Sequence, residues 1–130
     1  MKVMNYDNEM DKECIELCDA LNYLEGTETY ESCCGHGVNF YSIFFKADCK
    51  NNYSLSIIAR AFNKRYSQTS IPFIIELETS EMNYPKYHYW IHSTQIYKDN
   101  EDMLKDVQQL VANIKYWSSE IFKEYFNKNK

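Results

Sequence analysis

Apolar residues recur at three- and four-residue intervals in three stretches of this chain and at alternate positions in several others, and the two periods divide it into helices and strands. Met10, Cys14, Leu17, Cys18, Leu21 and Leu24 form the first helical stripe, with Asp7 and Asn8 available to cap its start and Gly26 to stop it. The opposite face carries Glu9, Glu13, Glu16 and Asp19, the composition of a solvated surface. Leu55, Ile58, Ala59 and Phe62 predict a second helix over Tyr53 to Arg65, which carries both arginines of the protein. Met103, Val107, Leu110, Ile114, Trp117 and Ile121 predict a third from about Asn100 to Phe126, with the Asn127–Lys130 tail expected to fray.

The strands lie between these helices. β-formers dominate Thr27 to Cys33, and Asn39 to Phe45 is apolar on both sides, as a central strand would be. Phe73 to Glu78 and Tyr87 to His92 alternate on either side of the Asn83-Tyr84-Pro85 turn, which predicts a hairpin. The order α-β-β-α-β-β-α predicts an α+β fold, a mainly antiparallel sheet of about four strands with helices on one or both faces. With 130 residues and no internal repeat or linker, the chain is expected to form one domain over 1–130.

Composition narrows the classes. A hydrophobic content of 45%, with 12 Tyr and 7 Phe, argues for a folded, aromatic-rich core. No stretch approaches the roughly 18 apolar residues that span a bilayer, and Met1–Asp7 lacks a signal-peptide apolar region, so a cytoplasmic location and no membrane partner are expected. The five cysteines are odd in number and two are adjacent, which predicts reduced thiols. Residues 1–31 hold nine acidic and two basic side chains, the remainder ten and twelve. Such an N-terminal quarter is a poor surface for nucleic acid, whose nonspecific affinity comes from a broad basic footprint.

Two of the three glycines bracket His36 in Glu31-Ser32-Cys33-Cys34-Gly35-His36-Gly37, so candidate chemistry concentrates there. One reading is a tight hairpin turn and nothing more. A second pairs Cys34 with His36, two residues apart and on one side of an extended chain, as an activated thiolate and its base. A third is zinc held by Cys33 or Cys34 with His36 and one of Cys49, His88 and His92, although adjacent cysteines do not give the usual two separated ligand pairs. The fourth, preferred on sequence, is a small phosphate-bearing or nucleotide-like ligand. It would sit on the backbone N–H groups of Gly35 to Gly37, with Glu31, Ser32 and Cys33 alongside and Arg60 and Arg65 neutralising its charge.

Elsewhere, Ile91-His92-Ser93-Thr94 holds one H-x-T without the second copy that two-histidine phosphoesterases use, and His88, Trp90 and His92 are expected on one strand face. Tyr84, Tyr87, Tyr89 and Trp90 are expected to pack in or on the sheet, with base stacking as the alternative use.

The stretch Thr29-Tyr30-Glu31-Ser32-Cys33-Cys34-Gly35-His36, together with the preceding helix, resembles the tRNA wybutosine-synthesizing methyltransferases, whose motif is Ser-Ser-Cys-Ser/Ala-Gly-Arg. Ser32, Cys33 and Gly35 match, Cys34 takes the small position and His36 stands where the motif has arginine. The turn is also similar to an E-S-C-x-G-H-G turn in small proteins of low-GC bacteria and their phages. The resemblance implies an α/β fold with a site at Ser32, Cys33, Gly35 and His36 for a nucleotide-like ligand such as S-adenosylmethionine. The functional expectation is therefore a small-ligand binder, with catalysis left open. A tRNA-modifying enzyme and a protein–protein interaction module are the alternatives.

Overall fold

The computed structural model describes residues 10–67 and 71–128. The elements are α1 (Lys12–Tyr23), β1 (Thr27–Cys33), β2 (Ser42–Asp48), α2 (Asn52–Phe62), β3 (Phe73–Asn83), β4 (Lys86–Ser93) and α3 (Asn100–Lys128), in the order α-β-β-α-β-β-α. The four strands form one antiparallel sheet in the spatial order β1-β2-β4-β3, an α+β fold. No helix among the described residues is long and apolar enough to cross a membrane.

Strand alternation decides which face of the sheet is covered. Along β2, Ile43, Phe45 and Ala47 are buried while Ser42, Phe44 and Lys46 are only half-buried. Ile43 and Phe45 share one core with Ile91 of β4, Cys14, Leu17, Cys18 and Leu21 of α1, Ile57 and Ala61 of α2, and Met103, Val107, Leu110 and Ile114 of α3. All three helices therefore lie on the same face. The other face carries Tyr30, Phe44, His88, Trp90 and His92. Phe44 and Trp90, directly opposite in register, stack at 5.8 Å, and Trp90 stacks on His92 at 3.9 Å.

Tyr41 ties the layers together at one end. Its backbone N–H donates to Ser93 Oγ (3.0 Å), its carbonyl accepts from Ser93 N–H (2.9 Å), and its buried hydroxyl donates to the Glu13 carbonyl of α1 (3.0 Å). One aromatic residue thus fixes β2 against β4 and against the start of α1.

The strand expected over Asn39–Phe45 with both faces apolar is Ser42–Asp48 with alternate residues buried, and β3 runs past Glu78 to Asn83; three helix boundaries differ as well. α1 starts after Asp11, and the proposed caps Asp7 and Asn8 lie outside the described residues. α2 ends at Phe62, so Arg65 falls in the turn beyond it. The buried side of α2 is Ser54, Ile57, Ile58 and Ala61, while Ala59 is exposed. Ser54 is tolerated inside because its hydroxyl donates to the Glu25 carbonyl (2.6 Å), a polar pairing that apolar periodicity does not register. α3 runs on to Lys128, past the predicted frayed start of the tail.

Because only one face is packed, substitutions should separate by strand parity. Phe45→Ala is expected to cost about 3–5 kcal/mol in urea unfolding, whereas Glu28→Ala, exposed opposite Lys46 on the bare face, should stay within about 0.5 kcal/mol. Equal losses at the two positions would contradict the one-sided packing.

Candidate functional site

β1 and β2 are antiparallel neighbours, so the chain must reverse between Cys33 and Ser42. Gly35, His36 and Gly37 accomplish this with φ of 90°, 50° and 79°, three consecutive left-handed residues, of which only His36 carries a side chain. Gly35 has no alternative: a Cβ there would lie 2.1 Å from the Asn39 carbonyl oxygen. The same oxygen-rich crossing closes the turn, since Val38 and Asn39 both donate N–H to the Gly35 carbonyl (3.0 Å each).

The turn is also held from outside. Asp11 occupies the N-cap position of α1 yet makes no side-chain capping bond to its own helix. Its Oδ2 instead accepts the backbone N–H of Cys34 at 2.8 Å and lies 3.3 Å from His36 Nε2. Partial burial pushes the Asp11 carboxyl upward. The Cys34 backbone N–H, the Cys34 thiol, the His36 ring and the Cys33 thiol together outweigh it, and the net pKa is below the ordinary carboxylate value. Cys33 Sγ accepts the Gly35 N–H at 3.3 Å, and Lys98 Nζ donates to the Gly37 carbonyl at the rim.

One donor atom from each of Asp11, Cys33 and His36 therefore meets within 4.8 Å, a set able to hold a metal ion. Asp11 and Cys33 are half-buried, while the His36 side chain is 64% exposed. The sequence places Asp11 22 positions before Cys33, so a search for cysteine and histidine spacing does not find it. The available signal was its place at the mouth of a helix, where a carboxylate is free to serve either its own helix or a neighbouring loop. Nothing in the sequence marks Lys98.

The remaining sequence candidates divide. Cys34 lies 3.7 Å from His36 Nδ1, as its pairing with histidine required. However, burial, countered only in part by the His36 backbone N–H, and the nearby Asp11 and Glu13 carboxylates push its thiol up to about 11. The thiolate is scarce at neutral pH, the opposite of an activated nucleophile. Extended alternation holds through Cys33 and Cys34 but fails at the left-handed Gly35 and His36, which carry the His36 ring back within reach of Cys33 as well as Cys34. Ser32 sits opposite Ile43 with its side chain near the buried Cys14 and Cys18, and Glu31 is exposed on β1.

Arg60 is committed elsewhere. Its guanidinium is 3.2 Å from Glu124 Oε1 and lies over the rings of Trp117 and Tyr66 at 5.1 and 5.3 Å. Along α3, Asn100 and Glu124 are about 36 Å apart at the helical rise, and the turn is joined to the Asn100 end through Lys98. Arg60 is not brought to the turn. Arg65 is exposed in the turn after α2, its backbone N–H donating to Asn63 Oδ1 at 2.9 Å.

Nor do the more distant metal candidates join the cluster. His92 is two strands across from Cys33, about 10 Å away, with one ring nitrogen 3.1 Å from Glu76 Oε2 and the other 2.9 Å from the Ser93 carbonyl. His88 lies 3.1 Å from the Tyr30 hydroxyl, and Cys49 lies past the opposite end of β2. On the bare face, Trp90 Nε1 is buried without a hydrogen-bond partner among the described residues.

Two measurements check this geometry. Gly35→Ala should lower stability by about 2 kcal/mol or more, from the left-handed φ and the clash together, and an unchanged melting temperature would contradict the turn. In native protein at pH 8, alkylation followed by mass spectrometry should label Cys33 and Cys49, which are half-buried, before buried Cys14, Cys18 and Cys34. Labelling of Cys34 ahead of Cys33 would overturn the assignment. Compared with protein-family models, with curated proteins and with solved structures, the chain finds no match.

Proposed function

We propose that this protein is a binding module for a small phosphate-bearing or nucleotide-like ligand, taken up at the Glu31–Gly37 turn with a cation between the ligand and Asp11. The observation that carries this reading is the Asp11 carboxylate lodged in the crook of the turn beside His36. Three features bear on the ligand. The N–H groups of Cys34, Gly35, Val38 and Asn39 already have partners within the protein, so a phosphate has little backbone left to bind. A bare anion is also repelled by Asp11, and that repulsion is relieved only by positive charge placed between them. Finally, Lys98 stands at the rim, where its ammonium can meet an anion held over the turn. The likeness of Ser32-Cys33-Cys34-Gly35 to the wybutosine-synthesizing methyltransferase motif supports the nucleotide-like class.

This reading replaces Arg60 and Arg65 by Lys98 as the charge partner and gives Cys34 a structural place. Nucleic-acid modification has less support, since residues 11–31 hold seven acidic side chains against the single Lys12. A second reading, a protein-interaction module, is favoured by the groove of about 690 Å³ between α1 and α3, where Tyr23 and Phe122 are 60% and 58% exposed.

Calorimetric titration with inorganic phosphate and a panel of adenine and guanine nucleotides distinguishes these readings. Binding is expected with zinc-supplemented protein and should weaken at least tenfold in chelator and in Lys98→Ala. No binding at millimolar ligand in either condition would sink the small-ligand reading. Binding indifferent to chelator would remove the cation.

A further inference from the structure

From the geometry of the turn we infer that Asp11, Cys33 and His36 form a three-residue site for a borderline-soft divalent metal, zinc being the best fit, with one coordination position open to solvent. The inference deepens the reading above by naming its cation, and depends on that reading only for what occupies the open position.

The donor chemistry selects the metal. A thiolate sulfur and an imidazole nitrogen disfavour magnesium and calcium, which take oxygen, whereas zinc accepts sulfur, nitrogen and carboxylate oxygen in one tetrahedral shell. With ordinary zinc bond lengths, the donor–donor edges of such a tetrahedron are about 3.3 Å for nitrogen to oxygen and about 3.6 Å for the edges to sulfur. His36 Nε2 and Asp11 Oδ2 already stand 3.3 Å apart, and all three donor atoms lie within 4.8 Å. Closing the set around an ion shortens the widest donor separation by on the order of 1 Å.

The hydrogen bonds to the donor atoms point the same way. Metal-bound ligands are oriented by hydrogen bonds to their donor atoms. Here the Gly35 N–H is directed at Cys33 Sγ (3.3 Å) and the Cys34 N–H at Asp11 Oδ2 (2.8 Å). Both amides lie where β1 ends and the turn begins, and the left-handed residues that follow bring the His36 ring back over them. A plain two-strand connection would need neither the cysteine acceptor nor a carboxylate imported from another element.

Binding converts the Cys33 thiol to a thiolate: the S–H proton leaves to solvent, the sulfur lone pair forms the metal bond, and no redox change occurs. Three protein ligands are the number found where zinc keeps a water or exchangeable ligand in the fourth position. The 64% exposure of His36 leaves that position reachable, and a phosphate oxygen is one occupant suited to it.

The test uses the full-length, reduced, metal-free protein. Cobalt(II) is titrated in and the absorption spectrum followed, and zinc affinity is then measured by competition with a chromophoric chelator. The expected result is one equivalent per chain with a thiolate-to-cobalt charge-transfer band. The band should vanish in Cys33→Ser and persist in Cys34→Ser and Cys49→Ser, and zinc affinity should fall at least tenfold in Asp11→Asn and in His36→Gln. Circular dichroism and melting of each metal-free variant show whether it remains folded. Should Asp11→Asn fail to fold, His36→Gln and Cys33→Ser still decide. Absence of stoichiometric metal in folded wild type, or a charge-transfer band that survives Cys33→Ser, would overturn the site. Zinc bound without any nucleotide or phosphate binding would leave this inference standing while removing the function proposed above. Nucleotide binding undiminished in chelator, in a folded wild type that takes up no metal, would overturn this inference and leave a small-ligand function without its cation.

Discussion

The carboxylate of Asp11 sets the arrangement at one end of the molecule, because it is directed away from the helix it begins. A helix leaves its first N–H groups unpaired, and an aspartate at the N-cap ordinarily serves them. Here that oxygen accepts the Cys34 N–H, so the start of α1, the end of β1 and the glycine turn are held as one unit. Tyr41 completes the tie through its hydroxyl on the Glu13 carbonyl. The partners forgone by the helix stabilise a loop conformation that few residues adopt unaided.

The same contact sorts the chemistry of the two adjacent cysteines. Cys34 is drawn toward the core, where burial and two neighbouring carboxylates keep its sulfur protonated. Cys33 stays half-buried with an amide aimed at its sulfur, the surroundings of a ligand and not of a packing residue. Adjacent residues of one type thus differ because successive residues of an extended chain face opposite ways, Cys34 toward the core and Cys33 toward the half-open side.

Element types were legible in the sequence because the periods are clean: alternation in β3 and β4 and the apolar stripe of α3 depend on local pattern alone. The bounds of β1 were readable from its run of β-formers between Gly26 and Gly35. The site was half legible. Gly35, His36 and Cys33 announced themselves by glycine scarcity and adjacency, but Asp11 and Lys98 reach the turn only through tertiary folding, and their types are common on any surface. Arg60 shows the reverse case. A lone arginine on a helix invites a ligand role, yet Trp117, Tyr66 and Glu124, two of them more than fifty residues away, supply its partners.

The sheet order carries a kinetic consequence. β1 with β2 and β3 with β4 are sequence-adjacent hairpins, each able to close locally. Their union depends on β2 meeting β4, where Phe44 lies opposite Trp90 and α2 intervenes in the chain. That pairing has the largest loop-closure cost in the sheet, so docking of two preformed halves is the step expected to govern how fast the protein folds. The aromatic stack across the central seam then acts less as decoration of a bare surface than as the latch between those halves.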